Sequence, residues 1–189
     1  EATPCTIDSA TATAMPASSA SHGEPVAAAA AATITQNVFR AAPTYVTQAA
    51  VANGVAQTIV VNSGNANACT GEQGARDALE MCSLVAQRVG CPVEQVLVCS
   101  TGVIGVQLEM TKLTAGLQDA TAQLTRDRGT AIANLARAIM TTDTFPKAVA
   151  VRVPLSRGEA MIGGMAKGAG MICPDLATLL VFITTDAKI

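Results

Sequence analysis

The chain has 189 residues, enough to bury a sizeable core in one domain, and carries a formal net charge of −2 with 12 basic residues scattered along it. That balance argues against a nucleic-acid partner, which needs clustered Lys and Arg, and no apolar run reaches the roughly 18 residues required to cross a bilayer. Half of the residues are hydrophobic but only 2% are aromatic, so the core is expected to be tightly packed Ala, Val, Ile, Leu and Met with few large anchors.

Residues 1–31 are rich in Ala, Ser and Pro without a sustained period and read as an irregular arm; they lack the Arg bias of a transit peptide. The β-branched run in 57–62 predicts a buried strand, and 63–67 a Gly/Asn turn. A helix is predicted over 75–89, with Ala75, Leu79, Cys82, Val85, Ala86 and Val89 on one face, ended by Gly90 and Pro92. Residues 95–100 read as a second buried strand. Thr111 is positioned to cap a helix carrying Leu113, Leu117, Ala120 and Leu124. A further helix is predicted over 130–140 with Ile132, Leu135, Ala136 and Ile139 inward, then a strand over 148–153, a glycine-dense stretch over 163–170 and a short buried strand over 179–183. No internal repeat is evident, and the mixture predicts an α/β (α+β layered) fold.

Six cysteines stand at positions 5, 69, 82, 91, 99 and 173, and no pair has CxxC spacing. With a single histidine, His22, in the irregular arm, a metal site is not expected. Cysteines inside apolar runs such as VLVCS (96–100) read as reduced, buried thiols.

Four segments place small residues and hydroxyls beside predicted element ends. VVNSGNANACTGEQG (60–74) is rich in residues that tolerate tight turns; it reads as a plain strand-to-helix loop or as a loop whose amides line a ligand pocket. In CSTGVIG (99–105) the strand is expected to end at Ser100 and Thr101-Gly102 to turn, offering N–H groups and a hydroxyl to one oxygen, although such turns are common. AIMTTDTFPK (138–147) ends a helix on two threonines and an aspartate, either as turn residues or as the rim of a pocket. In GGMAKGAGMICPDLATLL (163–180), Lys167 lies among small residues, as in a solvated loop or at a site of close ligand approach. Thr178 precedes an apolar run, where a β-branched strand residue is the ordinary reading.

Taken together in this order, and with a fainter match in ITQNVFRAAP (34–43), these segments resemble the ornithine acetyltransferase family from about residue 32 to residue 189. The resemblance implies helices packed around two β-sheets and a precursor cut between Ala177 and Thr178. It divides the chain into an irregular arm (1–31), a first-chain catalytic domain (32–177) and the start of a second chain (178–189), with an α2β2 assembly. A Thr hydroxyl beside its own peptide carbonyl can accept the acyl group from nitrogen. Hydrolysis of that ester frees an N-terminal Thr whose α-amine, with a pKa of about 8, serves as base.

The implied reaction moves acetyl from N-acetylornithine to Thr178 and then to glutamate, in arginine biosynthesis, with no metal or organic cofactor. Some family members also accept acetyl-CoA. By the same resemblance Thr101 and Gly102 form an oxyanion hole, Thr141 and Lys167 contact substrate, and Lys167 suits an α-carboxylate. Two other readings stand beside this one: a related self-cleaving amidohydrolase that passes the acyl group to water, and an unprocessed, non-catalytic assembly subunit. A cytoplasmic location is expected, with the mitochondrial matrix or plastid as alternatives.

Overall fold

The computed structural model describes residues 10–14, 27–124, 128–169 and 179–187. Its elements run β1 (Ala10–Ala14), β2 (Ala28–Ala29), α1 (Ala42–Val51), β3 (Val55–Ala56), β4 (Thr58–Asn65), α2 (Gly71–Val89), β5 (Val96–Val103), α3 (Met110–Ala122), α4 (Arg128–Ala138), β6 (Lys147–Pro154), β7 (Glu159–Lys167) and β8 (Leu180–Thr185). The expected α/β class holds. One sheet has the order β1-β4-β5, with β4 and β5 parallel and β1 antiparallel to β4; a second, fully antiparallel sheet has the order β6-β7-β8. A two-residue β2–β3 ladder stands apart from both.

Strand alternation explains how β4 organises the layers. Val60 points into a cluster with Val96 and Val98 of β5, Ala78, Met81, Cys82 and Val85 of α2, and Leu113 and Leu117 of α3. Its neighbour Val61 points the other way, to Ala136 and Ile139 at the end of α4 and Met165 of β7, with Leu180 and Phe182 of β8 alongside. The second cluster therefore joins the two sheets, and the ends of β5 and β7 are brought together by it.

In α2 the i, i+3, i+4 stripe runs through Gly74, Ala78, Met81, Cys82, Val85 and Ala86. Ala75 and Leu79, expected inward, lie outside the stripe and are exposed. The predicted stop is correct: Gly90 adopts φ 75° and its N–H donates to Ala86 O at 2.9 Å, the left-handed cap that glycine accepts without strain.

At the edge of the first sheet, β5 has no further strand beside it among the described residues. The buried Thr47 hydroxyl of α1 takes that place, donating to Val98 O at 2.6 Å and accepting from Val98 N–H at 2.9 Å. Thr47→Val keeps the shape but strands both backbone groups, so it is expected to destabilise the protein by about 2–4 kcal/mol, read as a lower denaturant midpoint. An unchanged midpoint would show that the edge is held by packing alone.

Several sequence expectations need correction. Ser63, Gly64 and Asn65 continue β4 rather than turning, and β5 likewise runs on through Thr101, Gly102 and Val103, because these two stretches pair with each other. Thr111 lies inside the first turn of α3, whose N-cap is Glu109, and Leu124 falls beyond the helix end. In α4, Ile132 faces solvent whereas Ala136, and Ile139 just past the helix end, are buried as expected. The glycine-dense stretch is mostly strand: Gly163 and Gly164 sit mid-β7, and Lys167 is its last residue. Ala10–Ala14, within the segment expected to be irregular, pair with β4.

Candidate functional site

Three of the sequence-predicted site residues converge on one ammonium group. Lys167, at the end of β7, is only 5% exposed. Its Nζ donates to Thr101 Oγ1 of β5 at 2.8 Å and to Thr141 Oγ1, in the loop after α4, at 2.6 Å. The loop is anchored where it leaves the helix: Ser63 Oγ of β4 donates to Ala138 O at 2.6 Å, tying the C-terminal end of α4 to the first sheet. Thr101 is half-buried and Thr141 and Gly102 are exposed, so the cluster opens to solvent on the Thr141–Gly102 side.

Gly102 is required by its surroundings. It adopts φ 137°, and a Cβ built on it would lie 2.1 Å from the Gly64 carbonyl carbon and 2.5 Å from Asn65 N. The register of β4 and β5 shifts at this point, between Gly64 and Asn65. Paired glycines thus permit a backbone approach that no side chain allows.

Asp143 is the residue the sequence reading did not single out, although MTTD was noted as carrying a carboxylate. Its side chain is fully buried. One carboxylate oxygen accepts from Lys147 Nζ at 2.7 Å and Gly168 N–H at 2.8 Å; the other accepts from Thr141 N–H at 3.3 Å and lies 3.9 Å from Lys167 Nζ. No signal in the sequence distinguishes this aspartate from a turn residue, because its partners come from 24 or more positions downstream as well as from its own loop.

Burial acts to raise the Asp143 pKa, but the Lys147 hydrogen bond, the Gly168 and Thr141 N–H groups and the Lys147 charge outweigh it and hold the carboxyl at about 2. Because the folded value lies below the ordinary carboxylate value of 3.8, the associated stability is present above pH 4 and is lost as pH falls toward 2. It amounts to about 2 kcal/mol. The stability difference between wild type and Asp143→Asn is therefore expected to shrink between pH 5 and pH 2; a constant difference across that range would contradict the assignment. The Lys167 pKa is also lowered: burial is the main cause and the Lys147 charge adds to it, while Asp143 opposes both.

The asparagines of the first motif hold loops. Asn62, Asn65 and Asn67 are all fully buried. Asn65 Nδ2 donates to Val106 O at 3.0 Å and its Oδ1 accepts from Asn67 N–H at 2.7 Å; Asn67 Nδ2 donates to Gly74 O at 2.8 Å. These bonds fix the segment after β5 and the start of α2 to the end of β4. Asn62 Oδ1 accepts from Ser100 Oγ, next to Thr101.

Ala177 and Thr178 lie outside the described residues. Among the described residues no group of three or more His, Cys, Asp or Glu is arranged to hold a metal ion, and no helix is long and apolar enough to cross a membrane. The chemistry available at the cluster is that of a buried cation and two hydroxyls at an open rim. Asp143 takes its hydrogen bonds from Lys147 and two N–H groups and acts on Lys167 through its charge at 3.9 Å, without taking a hydrogen bond from the Lys167 ammonium.

Comparison with known proteins gives a consistent set of relatives. The ArgJ family model matches residues 20–189. The arginine biosynthesis bifunctional protein ArgJ of Symbiobacterium thermophilum is 51% identical over 164 residues, covering 87% of this chain and 40% of that protein. The glutamate N-acetyltransferase of Methanothermobacter thermautotrophicus is 49% identical over 158 residues, covering 83% of this chain and 39% of that protein. The chain thus spans about 40% of the length of the curated relatives it matches.

Among solved structures, the arginine biosynthesis bifunctional protein argJ of Bacillus halodurans superposes with a TM-score of 0.72 at 33% identity, covering 92% of this chain and 93% of that one. Ornithine acetyltransferase of Mycobacterium tuberculosis, solved in complex with ornithine, superposes with a TM-score of 0.67 at 37% identity, covering 79% of this chain and 78% of that one.

Proposed function

The chain belongs to the ArgJ family, and on that premise we propose that it supplies part of the active site of a glutamate N-acetyltransferase of arginine biosynthesis. In this reading Thr178 Oγ attacks the acetyl carbonyl of N-acetylornithine, the C–N bond breaks and ornithine leaves. The amine of glutamate then attacks the acetyl-threonine ester, giving N-acetylglutamate and regenerating the threonine hydroxyl. One amide replaces another, so the exchange itself requires no external energy source.

The observation that carries the proposal is the convergence of Thr101, Thr141 and Lys167, from three separate motifs, on one buried ammonium. Lys167 and Thr141 are assigned to substrate and Thr101 with Gly102 to the oxyanion that forms on the acetyl carbonyl. Leu180 is the register partner of Lys167, and Thr178 precedes it by two residues, a covalent span of at most about 7 Å. That tether supports a nucleophile within reach of the same cluster.

Thr178 is proposed to become N-terminal by self-cleavage. Its hydroxyl attacks the Ala177 carbonyl, the peptide nitrogen leaves as the α-amine, and water hydrolyses the ester to free the Ala177 carboxylate. Residues 32–177 then belong to the first chain and 178–189 begin the second, in an α2β2 assembly. The outward side of the second sheet exposes Val149, Val151, Val181 and Ile183, an apolar face suited to burial against the rest of the longer polypeptide.

We place the enzyme in the cytoplasm, with the mitochondrial matrix or plastid as alternatives. The thiols of Cys82 and Cys99, pushed up to about 12 by burial and, for Cys82, by the neighbouring Cys99 as well, are those of unreactive reduced cysteines.

The test is an assay of the full-length protein with N-acetylornithine and glutamate. Equal yields of ornithine and N-acetylglutamate are expected; acetate in place of N-acetylglutamate would instead identify an amidohydrolase.

A further inference from the structure

We propose that Asp143 is a positioning residue for the transfer reaction: its buried carboxylate holds the Lys167 ammonium in its charged form between Thr101 and Thr141, and locks the Lys167–Gly168 segment against the loop that carries Thr141. The proposal rests on the reading of Lys167 as a substrate contact and adds to it the group that makes Lys167 effective.

The geometry is specific. The carboxylate spans two segments, taking Thr141 N–H and Lys147 Nζ from its own loop and Gly168 N–H from the residue after Lys167. Both members of the Lys167–Thr141 hydrogen bond are thereby set by one side chain: Thr141 through its own backbone N–H, and Lys167 through that of Gly168. Lys167 lies 3.9 Å from the carboxylate, too far for a direct hydrogen bond but close enough for a strong field at a site with a 6%-exposed ammonium and a fully buried carboxylate. An ammonium so buried loses its proton readily unless an anion stands near it. Among the described residues the charged groups acting on Lys167 are Asp143, which favours its charged form, and Lys147, which disfavours it. Thr101 and Thr141, its hydrogen-bond partners, do not titrate in the working range.

The two charged neighbours give the test a sign. The pH profile of kcat/KM for acetyl transfer is measured on the full-length protein as wild type, Asp143→Asn, Lys147→Met and Lys167→Met. Asp143→Asn keeps the shape and an acceptor oxygen but removes the charge, so kcat/KM is expected to fall at least tenfold and the alkaline limb to move to lower pH. Lys147→Met removes a like charge from Lys167 and frees Asp143 to act on it, so its alkaline limb is expected to move up. A role of Asp143 limited to anchoring Lys147 predicts the same displacement in both variants, and that result, or an unmoved limb in both, overturns the proposal. Where Asp143→Asn does not fold, the direction of the Lys147→Met limb decides alone. Wild-type kcat/KM in Lys167→Met would refute the underlying reading of Lys167 instead, and so separates the two failures.

Discussion

Lys167→Met in the full-length protein is expected to lower kcat/KM for acetyl transfer by about 100-fold while leaving the melting temperature no lower than that of the wild type. The loss follows from removing a charge-assisted donor at a water-poor site, where such hydrogen bonds contribute roughly twice as much as neutral ones. Thermal stability is expected to hold because the ammonium is 5% exposed and burial works against its charged form; methionine fills the same volume without that desolvation cost. The carboxylate left behind keeps Lys147 and two N–H donors. A variant that melts early and loses activity in proportion would assign Lys167 to the fold rather than to the reaction.

Gly102→Ala is expected to be the most damaging substitution among the described site residues. The added methyl meets the Gly64 and Asn65 backbone at 2.1–2.5 Å, contacts that no rotamer change relieves, and φ 137° is strained for any side chain. The β4–β5 pair must open there, carrying Thr101 away from Lys167. On the proposed oxyanion-hole role, kcat falls by about 100- to 1,000-fold, together with a lowered melting temperature. Thr101→Ala, which leaves the backbone in place, should reproduce much of the rate loss with little of the loss in stability. Wild-type kcat in both variants would remove this strand end from the chemistry.

What could be read in advance follows from what each residue's signal depends on. The body of α2, its Gly90 stop and the buried Val60, Val61, Val96 and Val98 were legible because period, cap and β-branching are local. Ser63–Gly64–Asn65 and Thr101–Gly102 read as turns in the sequence because glycine and asparagine favour turns by themselves. Each stretch is strand only because the other lies beside it, a non-local fact. The same holds for Gly163 and Gly164 in β7, where a Cβ on Gly163 would come within 2.9 Å of Thr184 Oγ1 across the β7–β8 pair. Thr101, Thr141 and Lys167 were picked out by resemblance, and they do meet. Asp143 was visible only as one acidic residue in a motif, since its importance arises from Gly168 and Lys167, which the fold returns to it.

The most direct test of the account is the intact mass of the full-length protein, as wild type and as Thr178→Ala. Two fragments meeting at the bond between Ala177 and Thr178 in the wild type, and one uncut chain in the variant, are the predicted result. A single uncut chain in an active wild type would contradict the self-generated threonine nucleophile on which the proposed mechanism depends.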